Sequence, residues 1–130
     1  MIVVDACSAH QLSMTLAMAL FVLALTVYMT AHATKGEQDP NSLIGIRTRA
    51  TKSSKEAWVA GHRVAYPYLL AGATHCLGSS VLIAAFLGFD FVPATALLIF
   101  SIVLALGAAV ILTASGIKAD REAKKHIHAT

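Results

Sequence analysis

Three long runs without Asp, Glu, Lys or Arg constrain the fold of this chain more than any other feature. The runs cover residues 6–34, 64–89 and 91–117, and Asp90 alone separates the second from the third. A helix needs about 20 residues to cross the hydrocarbon core of a bilayer, and each of these runs is longer than that. Charged residues make up only 13% of the chain, about half the share that is usual in soluble domains. The sequence therefore predicts an all-α membrane protein with three transmembrane helices.

The runs divide the chain into segments of a single membrane domain, residues 1–130. A secretory leader would begin with basic residues and have a shorter apolar core, whereas Asp5 is the only early charge here. We therefore interpret the first run as a membrane span. The predicted segments are a first span at about residues 12–31, a loop at 32–63, a second span at about 64–89, a third at about 92–117 and a tail at 118–130.

The basic residues are confined to one side of the predicted membrane. Six of the ten lie in the first loop and four in the tail, and none lies at the amino terminus or between the second and third spans. Cytoplasmic loops carry such an excess, which predicts a cytoplasmic loop and tail and an outside amino terminus. We expect a multi-pass protein of the bacterial plasma membrane, with membrane lipids rather than nucleic acid as partners of these charges.

The loop ends in a pattern that is typical of a helix start. Ser53 stands in capping-box register with Glu56, and Ser54 is an equally good N-cap. We expect a short cytoplasmic helix that leads into the second span, with Trp58 and His62 on one face because they are four residues apart. Upstream, Gly45 lies between two isoleucines, which indicates a close backbone approach or a positive φ.

Ten residues of this loop match a family signature in order and spacing. They are Asn41, Gly45, Ile46, Arg47, Thr48, Thr51, Ser54, Trp58, His62 and Arg63. With the flanking helices, this set resembles the SdpI family of small bacterial membrane proteins. The resemblance implies immunity to a secreted toxin and retention of a transcriptional repressor at the membrane.

The chemistry of the loop leaves several interpretations open. Arg47, Arg49 and Arg63 supply guanidinium groups that suit phosphate or carboxylate, and Thr48, Thr51 and Ser54 add hydroxyls. The set could bind an acidic cytoplasmic partner. Alternatively, the arginines contact lipid phosphates while Trp58, Tyr66 and Tyr68 form an interfacial aromatic belt. A third possibility is that Arg47 is buried against helix-end carbonyls and holds the loop beneath the bundle.

Small residues recur at steps of four in the second and third spans, where they allow helices to approach closely in lipid. Such stripes could pack the two helices together or contact a membrane protein partner or a second copy. The residues are Gly72, Cys76, Ser80, Ala84 and Gly88 in the second span, and Ser101, Ala105, Ala109 and Thr113 in the third.

Nothing in the sequence has the spacing of a catalytic or metal site. No acidic residue lies within a span, which disfavours a transporter or a membrane enzyme, and His75 has no second ligand near it in the pattern. We therefore expect no catalytic residue, metal or cofactor, and a structural role for His75. Two functions stay open: a binding protein of the immunity or signalling type, and an accessory subunit of a larger bacterial membrane complex.

Overall fold

The computed structural model describes residues 5–35, 44–89 and 92–127, and every regular element in these segments is an α-helix. The helices are α1 (Ala6–Ala33), α2 (Lys55–Leu87) and α3 (Ala94–Ile127). Each is long and apolar enough to cross a membrane, which confirms the predicted all-α class with three such helices. Asp90 and Phe91, which separate the second predicted span from the third, lie outside the described residues.

Side-chain caps begin the first two helices. The Asp5 carboxylate accepts a hydrogen bond from a backbone N–H in the first turn of α1, at 2.7 Å. The Ser54 hydroxyl accepts one from the N–H of Ala57 at 3.1 Å, so Ser54 is the N-cap of α2. The other candidate, Ser53, instead donates to the carbonyl of Ala50 at 2.7 Å. Both caps satisfy backbone donors that the helix itself leaves unpaired.

Helices α2 and α3 extend beyond the predicted spans at the same end of the bundle. Helix α2 is continuous from Lys55 through Pro67, so the predicted short helix forms its first turns and is not a separate element. Helix α3 continues over residues 118–127, which the charge pattern assigned to a tail. At 1.5 Å per residue each helix is about 50 Å long, against a hydrocarbon core of about 30 Å. We call residues 44–63 and 118–127 the basic end.

The three helices pack through seams in which buried residues recur at steps of three and four, or of seven. This heptad spacing is the pattern of left-handed helix packing, and small residues at the seams let the backbones approach closely. The buried residues are Ala17, Leu20, Ala24, Val27 and Ala31 in α1, Leu69, Cys76 and Ile83 in α2, and Ser101, Ala108 and Ser115 in α3.

The small residues predicted at steps of four do not stay in one interface. In α2 the structure buries Gly72, Cys76 and Ser80 but exposes Ala84 and Gly88. Four residues turn an α-helix about 40° past a full revolution, so a stripe at this spacing winds around the helix. The stripe of α3 winds in the same way, with Ser101 buried, Ala105 half-buried, and Ala109 and Thr113 exposed.

Two side-chain hydrogen bonds join the helices in their apolar middle. The Ser80 hydroxyl of α2 donates to the carbonyl of Ala17 in α1 at 2.8 Å. The His75 imidazole Nε2 lies 3.0 Å from the carbonyl of Leu104 in α3, and must carry the hydrogen because a carbonyl only accepts. This half-buried histidine therefore links α2 to α3 through a backbone carbonyl.

Aromatic rings and lysines meet where the apolar spans give way to the basic end. The ammonium of Lys35 lies 5.3 Å from the ring centre of Tyr66, and that of Lys118 lies 6.0 Å from the ring centre of Tyr68. Such cation–π contacts at an interface combine an apolar ring body with a hydrated charge. Because the uncharged runs end close to these two pairs, we infer that they lie near the level at which the bundle would leave the hydrocarbon.

Candidate functional site

The signature loop folds back onto the first turns of α2 and contacts them through Gly45. The φ angle of Gly45 is +138°, a value that residues with a side chain rarely adopt. A Cβ atom at this position would lie 2.7 Å from Nε2 of His62 and 2.8 Å from the Trp58 ring. Both features expected of Gly45 are therefore present, the positive φ and the close approach.

A buried histidine holds the residue that follows Gly45. The backbone N–H of Ile46 donates to Nε2 of His62 at 2.7 Å, while Nδ1 lies 2.8 Å from the carbonyl of Trp58. The hydrogen must be on Nδ1, because Nε2 accepts and the Trp58 carbonyl cannot donate. The neutral imidazole therefore bridges the loop and the helix backbone.

The Trp58 ring packs directly against Gly45. It is 0% exposed, and its ring centre lies 4.1 Å from that of His62, as expected for residues on one face. Among the residues that the structure describes, the indole Nε1 has no hydrogen-bond acceptor, although it is buried. The contribution of Trp58 to this site is therefore one of packing.

Two threonines give the loop its shape. The Thr51 hydroxyl donates to the carbonyl of Ile46 at 2.7 Å and accepts from the N–H of Thr48 at 3.0 Å. The Thr48 hydroxyl in turn accepts from the N–H of Thr51 at 3.1 Å. This reciprocal pairing satisfies backbone groups that no regular element would pair in a loop.

The folded loop is also joined to α3. A Cβ atom at Gly61 would lie 2.9 Å from the carbonyl oxygen of Ala119 and 3.1 Å from the Thr51 methyl, so α2, α3 and the loop meet there. A hydrogen bond from Lys124, and to a smaller extent one from Thr48, lowers the pKa of the half-buried Asp120 carboxyl below its ordinary value.

The basic side chains of the loop and of the first turns of α2 lie outside this packed core. Arg49, Lys52 and Arg63 are exposed, and so is Arg47. The interpretation in which Arg47 is buried beneath the bundle therefore does not hold. Asn41, the first signature residue, lies outside the described residues.

The alanines and the glycine against which the loop packs were not predicted from the sequence. Ala50, Ala57 and Ala123 form a buried cluster of their own, and Gly61 lies where α2, α3 and the loop meet. The available signal was the spacing of alanines in α3, where Ala119 and Ala123 lie one turn apart and are fully buried. Ordinary alanines in a tail rich in charge gave no reason to expect a loop above them.

A family model described as the SdpI/YfhL protein family matches residues 38–115. The chain belongs to this family. The match covers more than half of the chain and includes the signature loop, all of α2 and most of α3. The comparisons with curated proteins and with solved structures found no match. Together with its three helices, this membership makes the chain a multi-pass membrane protein of the SdpI/YfhL family.

The chemistry offered by this SdpI-family loop is that of a basic surface. In the described part of the chain, no three His, Cys, Asp or Glu side chains are grouped to hold a metal ion. The free thiols are far apart in the sequence, Cys7 being exposed and Cys76 buried. The exposed cations instead suit carboxylates or phosphates on another molecule.

Proposed function

We propose that this SdpI-family chain is a non-enzymatic binding protein of the bacterial plasma membrane that engages a protein partner through its basic end. By the positive-inside rule, that end faces the cytoplasm. The family resemblance gives the class of role, which is immunity or signal transduction. The absence of acidic residues from the apolar runs supports binding over transport or catalysis.

The observation that carries this proposal is the division of the loop and the first turns of α2 into an inward and an outward set of residues. Gly45, Trp58 and His62 lock the loop, whereas Arg49 and Lys52 are exposed at its surface. A loop that only connected two spans would not need a positive φ, a buried histidine and reciprocal threonine bonds. The inward set therefore fixes the position of the outward charges.

A fixed loop has an energetic advantage for binding. A flexible loop loses conformational entropy when it docks, at about 0.5–1.5 kcal/mol for each immobilised side chain. The hydrogen bond between Ile46 and His62 removes backbone freedom before any partner arrives. We therefore expect the partner to present carboxylates to the exposed cations at Arg49 and Lys52.

Gentle-detergent purification of the tagged protein, followed by mass spectrometry of stoichiometric companions, tests this function. The variant Arg49→Glu/Lys52→Glu reverses two charges on the loop. The matched control Lys124→Glu/Lys125→Glu makes the same change in charge on α3 at the same end. We expect the loop variant to lose a companion that the wild type and the control retain.

An accessory-subunit role is favoured by a different observation, the exposure of small residues on the helices. Ala84, Gly88 and Ala109 face outward from the bundle, where a neighbouring helix could approach closely. If the chain is an accessory subunit, the companion should still co-purify with the charge-reversed loop variant. It should be lost from the variant Ala84→Leu/Ala109→Leu. Recovery of the wild type without any companion would contradict both functions.

A further inference from the structure

A cleft opens at the basic end between the first turns of α2 and the last turn of α3. Its volume is about 290 Å³, and it is lined by Lys55, Glu56, Val59, Ala60 and Arg63 on one side and His126 on the other. This is the lower limit of small-ligand sites, which begin at roughly 300 Å³. The cleft therefore fits a group the size of a lipid headgroup and not a large organic molecule.

The two strong cations of the cleft are not neutralised by ion pairs. Within residues 5–35, 44–89 and 92–127, neither Lys55 nor Arg63 makes a salt bridge, whereas the lysines on the exposed side of α3 are paired with Asp120 and Glu122. Glu56 supplies one negative charge to the lining. A net positive charge remains.

The cleft extends outward from the membrane boundary. Arg63 directly precedes the uncharged run, and it lies about 4.5 Å along the helix axis beyond Tyr66, one of the rings at the boundary. Lys55 lies about 12 Å further out. Because the headgroup region is roughly 5–7 Å thick on each side of the bilayer, Arg63 is at the height of lipid phosphates.

We propose that this cleft binds a phosphate group, supplied by an anionic phospholipid of the adjacent leaflet. The Arg63 guanidinium has the planar fork that fits phosphate oxygens, and Lys55 lines the outer part of the same cleft, where it adds a second cation. Val59 and Ala60 form an apolar floor that limits competition from water. This site is separate from the partner surface at Arg49 and Lys52 and requires only that the chain spans a bilayer.

Native mass spectrometry of the detergent-purified full chain, titrated with phosphatidylglycerol or with phosphatidylcholine, tests the proposal. We expect the wild type to hold one phosphatidylglycerol at least about tenfold more tightly than phosphatidylcholine. Lys55→Gln/Arg63→Gln should abolish this preference, since each basic residue near an anionic lipid contributes about a fivefold change in affinity. Arg63→Lys keeps the charge but not the fork, and should lose part of the preference. The control Lys124→Gln/Lys125→Gln removes the same charge from the exposed side of α3 and should leave the preference unchanged.

A parallel titration with inorganic phosphate, followed by phosphorus NMR line broadening, distinguishes the source of the phosphate. Suppose that the wild type shows no lipid preference but broadens the phosphate signal, and that the cleft variant does not. The cleft would then be a phosphate site whose ligand is a free anion and not a phospholipid. Equal loss of lipid preference in the cleft and control variants would overturn the proposal, because unspecific charge would then explain it. If the folded cleft variant still bound phosphatidylglycerol and inorganic phosphate as the wild type does, the proposal would also be overturned. The same holds if that variant lost a protein companion while it kept both ligands.

Discussion

The backbone N–H of Ile46 donates a hydrogen bond to Nε2 of His62, sixteen residues later in the chain, at 2.7 Å. This contact joins an irregular loop to the helix that enters the second span. It also requires the imidazole to be neutral, since a protonated ring has no lone pair to offer. The position of the loop is thus linked to the protonation state of one side chain.

We predict that acid weakens this attachment. Burial is the main cause that lowers the pKa of His62 in the folded protein below the ordinary value of about 6.5, and the bond to the Trp58 carbonyl opposes it. His62 precedes the apolar span of residues 64–89. A lowered folded-state pKa means that the unfolded loop binds more protons, so stability is fully present above about pH 6.5 and falls as the pH drops toward the folded-state pKa.

Hydrogen exchange of the Ile46 amide checks this prediction. Its protection, corrected for the intrinsic rate, should be greater at pH 8 than at pH 5.5. In His62→Gln, which cannot titrate, protection should be lower and independent of pH over this range. An amide whose protection in the wild type does not change between these values would contradict the link.

Gly45→Ala should loosen the loop. The new methyl would clash with both His62 and Trp58, and the φ of +138° disfavours any side chain. We expect a cost of about 1–3 kcal/mol, seen as faster amide exchange across residues 44–53. Gly78→Ala is the matched control, because a Cβ there meets no atom within 4 Å and alanine favours a helix. Equal behaviour of the two variants would show that Gly45 tolerates a side chain.

Trp58→Phe and Trp58→Ala should separate packing from hydrogen bonding. Trp58 is completely buried, so alanine leaves a large cavity and should cost about 3–5 kcal/mol in the stability of the basic end. Phenylalanine keeps an aromatic ring and loses no bond to a described residue, so it should cost much less. Thermal unfolding in detergent measures both. If phenylalanine were as damaging as alanine, the indole N–H would have an essential acceptor.

Local rules predicted much of the loop from the sequence. The four-residue spacing of Trp58 and His62 put their rings together, and Gly45 between isoleucines indicated its special backbone. The residues that Gly45 approaches could not be predicted, because they depend on how the loop folds back onto α2. Gly61 was missed for the same reason, since its neighbour in space is the Ala119 carbonyl of α3, far along the chain.

The membrane spans were predictable because their signal is the composition of a long window. The helix seams were not, because the small residues suggested a period of four while the packed helices use a period near 3.5. Ser101, Ala108 and Ser115 lie at steps of seven and are all buried, whereas Ala109 at the predicted spacing is exposed. Many small residues occur in each span, so several periods fit the sequence and only the packing selects one.

The orientation gives a direct prediction. If the basic end is cytoplasmic, a cysteine introduced as Lys52→Cys in a Cys7→Ser background should resist a membrane-impermeant maleimide added to intact cells. In the otherwise unchanged protein the native Cys7, which is exposed at the opposite end and precedes the predicted first span, should react. Permeabilised cells provide the control, in which both should be labelled. Labelling of position 52 from outside would reverse the topology and with it the cytoplasmic partner surface.

The hydrogen bond between His75 and the Leu104 carbonyl should depend on Gly107. A Cβ atom at Gly107 would lie 3.0 Å from Nε2 of His75, so Gly107→Ala pushes the imidazole away from the carbonyl. We expect Gly107→Ala and His75→Phe each to lower the thermal stability of the bundle in detergent. Polar contacts between membrane helices contribute on average about 0.6 kcal/mol, so the loss of the bond alone should have a modest effect.

The double variant Gly107→Ala/His75→Phe tests whether Gly107→Ala acts through the imidazole of His75. If Gly107→Ala acts by displacing the imidazole, its effect should shrink once His75 no longer makes the bond, and the two single effects should not add. Gly116→Ala in the same helix, where a Cβ meets no atom within 4 Å, is the matched control and should leave stability unchanged. Strict additivity of Gly107→Ala and His75→Phe would mean that the glycine acts on helix packing independently of the histidine.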